Sequence, residues 1–370
     1  MTLPPSYAAT PPSKAVVALK ILALLSLLYL FLVSITLMGD GLKMLGKDFI
    51  ERFIASTSSA PVGLFIGILT TSIVQSSSTT TSIVVGLVGS GFMTLTQAIP
   101  IVMGANIGTS VTNTLVALGQ IDNKVEFQRA FGAAVVDDIF NLLAVIVFLP
   151  LQVMFNFLGF SAQKMGSIFF TSSAIHFKSP LKMAVNPMCD LLEIICFHNG
   201  WVMLALAFVI LILSLRFLMV VMKSLVMRKA SKFFDEVIFR TPLMGMFFGM
   251  ALTAVVQSSS VTTSLIVPLA GAGLVSLEQL FPYVLGANVG TTVTALMASL
   301  VTNNVAAVNV AFAHMLFNMF GILMFMPLKF IPIGLAKKLA AQTVRSKLVP
   351  LAYILIVFFI IPIVLIQLLR

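Results

Sequence analysis

Long apolar runs separated by short polar stretches recur along the chain, at 15–38, 97–118, 129–150, 201–222, 281–300, 305–327 and 350–369. A helix rising about 1.5 Å per residue needs about 20 residues to cross a hydrocarbon layer about 30 Å thick, so each run predicts a membrane span. The run 201–222 holds one charged residue, Arg216, and 351–369 holds none. Strands of a membrane barrel would alternate in polarity over about ten residues, a period these runs lack. Two further apolar segments, 61–88 and 243–270, are punctuated by Gly and Pro and interrupted by the polar tetrapeptide Gln-Ser-Ser-Ser. The pieces on either side are too short to cross, which predicts a re-entrant helical hairpin in each segment.

Charged residues make up 9% of the 370 residues, and the mean hydropathy is +1.10. Soluble domains carry about 25% charged residues, so a water-soluble globular protein is excluded. With lipid as solvent, backbone amides must be satisfied internally, and the apolar runs choose helices to do it. The net charge of +10 sits between the spans and is not interleaved with aromatic residues, which argues against nucleic acid as a partner. Its position predicts topology instead. Lys223, Arg228, Lys229, Lys232 and Arg240 in one connection, and Lys329, Lys337, Lys338, Arg345 and Lys347 in another, place both inside the cell. Lys14 and Lys20 before the first span place the N-terminus in the cytoplasm as well, in a multi-pass protein of the inner (plasma) membrane. Cys189 and Cys196 lie in the polar connection 150–200, which falls outside; they are too few for a four-thiolate zinc site, and a disulfide or two free thiols are the alternatives.

The chain repeats itself. Residues 67–118 align with 249–300 at a constant offset of 182, with 26 of 52 positions identical. Gln75-Ser76-Ser77-Ser78 falls on Gln257-Ser258-Ser259-Ser260, Pro100 on Pro282, and the Gly104–Thr109 stretch GANIGT on GANVGT at Gly286–Thr291. If each hairpin enters and leaves by one face, each copy crosses the membrane three times, and the copies face opposite ways. The predicted fold is therefore an all-α polytopic membrane protein with two inverted-topology repeats, each with a re-entrant helical hairpin and broken helices, plus an extra C-terminal span. The divisions are a first transmembrane repeat at 1–150 (core 60–118), an extracellular connecting segment at 151–200, a second repeat at 201–328 (core 243–300), and a cytoplasmic basic segment with a terminal span at 329–370. Inverted repeats with broken helices are the architecture of secondary transporters, which bind cargo near the bilayer midplane.

QSSSTTTS at 75–82 and QSSSVTTS at 257–264 concentrate hydroxyls and an amide in an apolar setting. Ser and Thr can simply let helices approach closely, but polar groups duplicated at membrane depth mark a substrate or ion path. Hydroxyl, amide and carbonyl oxygens suit a hard cation such as Na⁺. Hydroxyl donors and the free N–H groups of a half-helix N-terminus suit an oxyanion. The glycines around Asn106 and Asn288 predict unwinding there. Thr109 and Thr112, like Thr291 and Thr294, are three apart and share one helical face. The sequence holds no P-loop and no metal-spaced His/Cys/carboxylate cluster, so no cofactor and no covalent chemistry are expected, and a coupled ion gradient is the expected driving force. Asp137, Asp138 and His314 are the few candidates for a buried titratable group, whereas Arg129 reads as a snorkelling interface anchor.

Paired QSSS motifs, each followed after about 28 residues by GANIGT or GANVGT, together with Arg129-Ala-Phe through Asp138-Ile-Phe-Asn141, resemble the type II sodium-dependent phosphate cotransporter family. The compact 150–200 connection resembles a bacterial member. The resemblance implies import of inorganic phosphate coupled to Na⁺, as a symporter and not an enzyme, with Na⁺ as co-transported ligand. It implies that Gln257, Ser258, Thr291 and Thr294 hold sodium; their first-repeat mates Gln75, Thr109 and Thr112, and Asn106 and Asn288, are candidates for the same role. Gln75, Ser76, Ser77, Ser78, Ser258, Ser259 and Ser260 would form the phosphate-binding region. The alternatives are a sodium-coupled carrier of another small oxyanion or carboxylate, and a passive anion channel.

Overall fold

The computed structural model describes residues 14–45, 59–171, 180–230, 239–344 and 346–369, and all regular structure among them is helical. The first half holds α1 (Lys14–Met44), α2 (Ala60–Val74), α3 (Ser77–Gly89), α4 (Leu95–Ile107), α5 (Val111–Ala117) and α6 (Lys124–Phe155). Two helices follow, α7 (Phe157–Thr171) and α8 (Pro180–Ile195). The second half holds α9 (Gly200–Ala230), α10 (Pro242–Val256), α11 (Ser259–Ser264), α12 (Val267–Gly271), α13 (Leu277–Thr302) and α14 (Val305–Phe325). The chain continues through α15 (Phe330–Ala341), α16 (Val349–Leu355) and α17 (Ile361–Leu368). Among the described residues six stretches are long and apolar enough to cross a bilayer: Ala15–Met38, Leu95–Gln120, Lys124–Phe155, Leu277–Thr302, Val305–Phe325 and Val349–Leu368. The protein is an all-α polytopic membrane protein. Of the basic residues at 223–240, the side chains of Lys223, Arg228, Lys229 and Lys232 lie outside what is described.

Local sequence sets the helix starts. Thr94 with Gln97, and Ser276 with Gln279, form reciprocal capping boxes at the N-termini of α4 and α13, each hydroxyl accepting from the N–H three residues on while the Gln side chain accepts from the cap N–H. Asn123 and Asn304 cap α6 and α14 through their side-chain oxygens.

Packing reproduces the sequence repeat. Helix α2 lies along α4 as α10 lies along α13. A Cβ on Gly67 would meet the carbonyl oxygen of Ile101 at 2.0 Å, and one on Gly249, 182 residues later, would meet that of Tyr283 at 2.0 Å. Gly104 and Gly286 make the reciprocal approaches, to the carbonyls of Leu64 and Met246 at 2.0 and 1.9 Å. Small residues here let two backbones touch, which is how helices associate where lipid removes the hydrophobic drive. Contacts between the halves are exchanged: Gly89 abuts Thr302, and Gly271, its repeat mate, abuts Gln120, the mate of Thr302.

The unwinding expected at both GAN motifs is corrected, and three features that the sequence left open are filled in. The connection 151–200 is mostly helical; α8 packs on α1, where Tyr29 donates to the Ala184 carbonyl at 3.1 Å, and α7 packs on α14. Cys189 and Cys196 are both free and buried, and the Cys189 thiol lies 3.7 Å from the Val33 carbonyl. Their separation of seven residues corresponds to about 10 Å along a helix, beyond the roughly 7 Å that a disulfide spans. Unwinding after the GAN motif occurs in one half only: α4 tightens into a 3₁₀ turn at Gly108–Ser110, whereas α13 runs unbroken through Gly286–Thr291. In α13 the Thr291 and Thr292 hydroxyls bond carbonyls one turn back, Asn288 at 2.6 Å and Val289 at 2.7 Å, and so stay within the helix. In the first half the Thr109 hydroxyl likewise bonds the Ala105 carbonyl at 3.1 Å, and the Thr109 carbonyl accepts from Ser260 of the second half at 3.5 Å. Finally, the terminal span is interrupted by a π-helical turn at Ile356–Ile360.

Candidate functional site

Each QSSS motif breaks a helix by the same backbone device. Gln75 and Gln257 end α2 and α10 in the left-handed region, at φ 58° and 60°. Their N–H groups reach back to the carbonyls of Thr71 and Thr253, both at 2.7 Å. A left-handed conformation costs a residue with a Cβ about 1–2 kcal/mol, so the surrounding structure holds it there. Ser76 and Ser258 return to extended geometry and cap α3 and α11, their hydroxyls accepting from the N–H of Thr79 at 3.2 Å and of Val261 at 3.3 Å. Across each break the hydroxyls of Thr71 and Thr80 meet at 2.9 Å, and those of Thr253 and Thr262 at 2.7 Å. Residues nine apart would lie about 13 Å apart on one straight helix, so the chain turns sharply at the motif. Each break therefore presents a helix C-terminus and a helix N-terminus side by side.

The two breaks meet. Ser78 donates to the backbone carbonyl of Gln257 at 3.3 Å, and Thr263 donates to Asn113 Oδ1 at 3.0 Å. Gln75 Oε1 accepts from Thr112 at 2.7 Å, and Gln257 Oε1 from Thr294 at 2.5 Å. Both glutamine amide nitrogens turn back onto their own helices, to the carbonyls of Ser72 and Ala254. The structure thus brings Gln257 and Thr294 together, and likewise Gln75 and Thr112. The hydroxyls of Thr109 and Thr291 bond their own helices, at Ala105 and Asn288. Ser77, Ser78, Ser259 and Ser260 are buried at the junction, whereas Ser76, Ser258, Gln75 and Thr112 are half-buried. Further along α3, Thr81 and Ser82 hold buried hydroxyls without a hydrogen-bond partner, as does Thr114 on α5. A cavity of about 650 Å³ lies elsewhere, where α6, α12, α13 and α15 meet, and neither QSSS motif lines it.

Asn106 and Asn288 are engaged by the opposite half. Asn288 donates to Asp137 Oδ1 at 2.7 Å, and Asn141 donates to the same oxygen at 3.0 Å. Asn106 donates to Asn318 Oδ1 at 3.2 Å, and His314 Nε2 donates to Asn106 Oδ1 at 2.9 Å. Asn141 and Asn318 were not among the sequence candidates. The signal that finds them is the matched pair VVDDIFN and AHMLFN, in which an Asn follows Asp137 or His314 by one helical turn. Asp138 accepts from Tyr353 at 3.1 Å, tying the first half to the terminal span.

The arrangement offers neutral oxygens, hydroxyl donors and helix ends, with no group of three or more metal-ligating residues among the described residues. The family model described as Na⁺/Pi-cotransporter matches residues 30–177 and 210–337. Sodium-dependent phosphate transport protein 2A of Ovis aries is 33% identical over 94% of this chain and 67% of its own length. The rat 2A protein is also 33% identical, over 93% of this chain and 67% of its own, and human sodium-dependent phosphate transport protein 2B is 31% identical over 93% and 64%. The chain spans about two thirds of the length of these relatives. No solved structure matches. With a family model covering most of the chain and its QSSS breaks, this protein belongs to the Na⁺/Pi-cotransporter family.

Proposed function

We propose that the protein imports inorganic phosphate coupled to Na⁺ by alternating access, around a site formed where the two QSSS breaks meet. The observation that carries this reading is the pairing of broken helices: Ser78 of one motif contacts Gln257 of the other, at the junction of the two halves. In this reading, phosphate lies against the N-termini of α3 and α11, held by the serines at 76–78 and 258–260; the amides and the positive helix ends offset its charge. Sodium is held by Gln257 Oε1 with Ser258, Thr291 and Thr294, and Gln75, Thr109 and Thr112 form the equivalent cluster. Asn106 and Asn288 act from behind, joining each cluster to the opposite half.

Coupling has a simple electrostatic origin. A phosphate entering a site built from neutral groups loses its hydration without gaining a countercharge. A cation about 4 Å away recovers about 4 kcal/mol at an effective dielectric constant near 20, so each ion raises the affinity for the other.

Inverted orientation is supported by the exchanged contacts Gly89–Thr302 and Gly271–Gln120, the pattern a two-fold relation between repeats produces. The divisions at 1–150, 151–200, 201–328 and 329–370 follow from it. So do a cytoplasmic N-terminus, hairpins α2–α3 and α10–α12 entering from opposite faces, and residence in the cell membrane. The closely packed tips form the gate that opens in turn to each side.

The test is phosphate uptake into proteoliposomes with and without an imposed inward Na⁺ gradient. Gradient-dependent accumulation is expected; uptake indifferent to Na⁺ would replace the symporter with a channel. Competition by other oxyanions and by carboxylates tests the cargo.

A further inference from the structure

The 650 Å³ cavity away from the QSSS junction gathers residues from three separate stretches, 125–132, 270–279 and 337–340. The topology proposed above puts all three at the cytoplasmic face, and the inference rests on that reading. The cavity is amphipathic. Arg129, Lys337, Glu278 and Gln128 form its polar wall, while Val125 and Leu274, 56% and 65% exposed, form an apolar rim. Lys337 donates to Glu278 at 2.6 Å, which neutralises one cation. Arg129 has no carboxylate partner among the described residues, and its guanidinium is laid over bare backbone: a Cβ on Gly273, at φ +78°, would come within 2.5 Å of Nη1. Arg129 is exposed at the wall of this open cavity, with its guanidinium over Gly273. The volume falls in the range of about 300–1,000 Å³ typical of sites for organic ligands, well beyond a single phosphate ion.

We infer that this cavity binds the phosphate headgroup of an anionic phospholipid from the inner leaflet. Basic pockets between membrane helices on the cytoplasmic side recognise such headgroups by their charge. The exposed apolar rim next to the Arg129 guanidinium suits the glycerol and first acyl carbons, which favours a lipid over a soluble organic phosphate of the same chemistry.

The test uses the purified protein in detergent and follows its melting temperature, in phosphate-free buffer, against three probes: short-chain phosphatidylglycerol, phosphatidylcholine of the same chain length, and glycerol phosphate without chains. Phosphatidylglycerol should stabilise saturably, phosphatidylcholine should not, and Arg129→Gln should raise the phosphatidylglycerol midpoint about fivefold, with Arg129→Lys in between. An unchanged midpoint in Arg129→Gln, or equal stabilisation by phosphatidylcholine, overturns the inference. Glycerol phosphate acting as well as phosphatidylglycerol transfers the site to a soluble phosphate ester. Should Arg129→Gln fail to fold, Leu274→Glu, on the exposed rim, places a repelling carboxylate there and should produce the same shift. Sodium-driven phosphate uptake in phosphatidylcholine liposomes should persist in Leu274→Glu. Loss of sodium dependence in the unmodified protein, with the lipid response intact, would count against the transport reading and leave this one standing.

Discussion

Asn288 donates its side-chain amide to Asp137 at 2.7 Å, so the GAN motif of the second repeat is held by a carboxylate of the first. The mirror arrangement joins Asn106 of the first repeat to His314 and Asn318 of the second. All five side chains are buried. Each GAN motif, next to the threonines of a proposed sodium cluster, is thus tied to the other half by buried polar side chains, while His314 Nδ1 and Asn141 Oδ1 in the same network have no hydrogen-bond partner.

That interlock predicts non-additive energetics. Asn288→Ala and Asp137→Ala each leave a buried group short of a partner, and each should cost about 1–3 kcal/mol. The double variant should cost less than their sum, by at least about 0.5 kcal/mol, because both changes break the same buried hydrogen bond. Unfolding in detergent, run as a double-mutant cycle, measures this. Strict additivity would mean that the two residues act independently.

Backbone contact makes a sharper distinction among glycines. Gly67→Ala drives a Cβ to 2.0 Å from the Ile101 carbonyl, and no side chain can move aside to relieve it. The folded yield should collapse, since overpacking costs of about 1–3 kcal/mol assume that neighbours can give. Gly91, at φ +84°, has nothing within 4 Å of a built Cβ. Gly91→Ala should therefore cost only the left-handed strain, about 1–2 kcal/mol, and yield folded protein. Size-exclusion profiles of the two variants decide it.

The left-handed glutamine lets structure and function be separated. Gln257→Gly removes the amide oxygen that meets Thr294 while relieving backbone strain at φ 60°. Relief of the left-handed strain, about 1–2 kcal/mol, offsets much of the lost bond to Thr294, about 1–3 kcal/mol, so folded protein should form, yet the Na⁺ concentration for half-maximal uptake should increase at least tenfold, as it should in Thr294→Val. An unaltered sodium response in either variant would take that residue out of the cation site.

Much of this architecture is legible in the sequence. The offset of 182 located both breaks, because a Gln-Ser-Ser-Ser run in an apolar segment leaves the serines nothing better to do than cap a new helix. It also paired Thr112 with Gln75 and Thr294 with Gln257 by equivalence once one contact is seen. What stayed hidden depends on the opposite half. The 3₁₀ turn appears in one copy and not the other, although the two GAN motifs differ by one methylene; where it occurs, the Thr109 carbonyl accepts from Ser260 of the opposite half. Asn318 accepts from Asn106, 212 residues away in sequence, and Asn141 shares Asp137 with Asn288 of the other half; the local pattern points to the two asparagines but not to these partners. The charged and polar residues of 150–200 make it read as a polar connection, although α8 is strongly amphipathic; packing on α1 and α14 shows where α8 and α7 lie.

The serines at the two helix N-termini carry the last prediction. Ser77 and Ser259 are the first residues of α3 and α11, where N–H groups lack intrahelical partners and the dipole favours an anion. A hydroxyl donating to a charged ligand is worth about 1.5–3 kcal/mol, so Ser77→Ala and Ser259→Ala should each raise the phosphate KM roughly tenfold or more. On the proposed coupling of the two ions, the deficit should shrink when Na⁺ is saturating and grow when it is scarce, a dependence that a general folding defect would not show. Uptake measured over a grid of phosphate and Na⁺ concentrations reads both effects. A KM unchanged in both variants at every Na⁺ level would move phosphate away from the paired breaks, and the broken helices would then need another purpose.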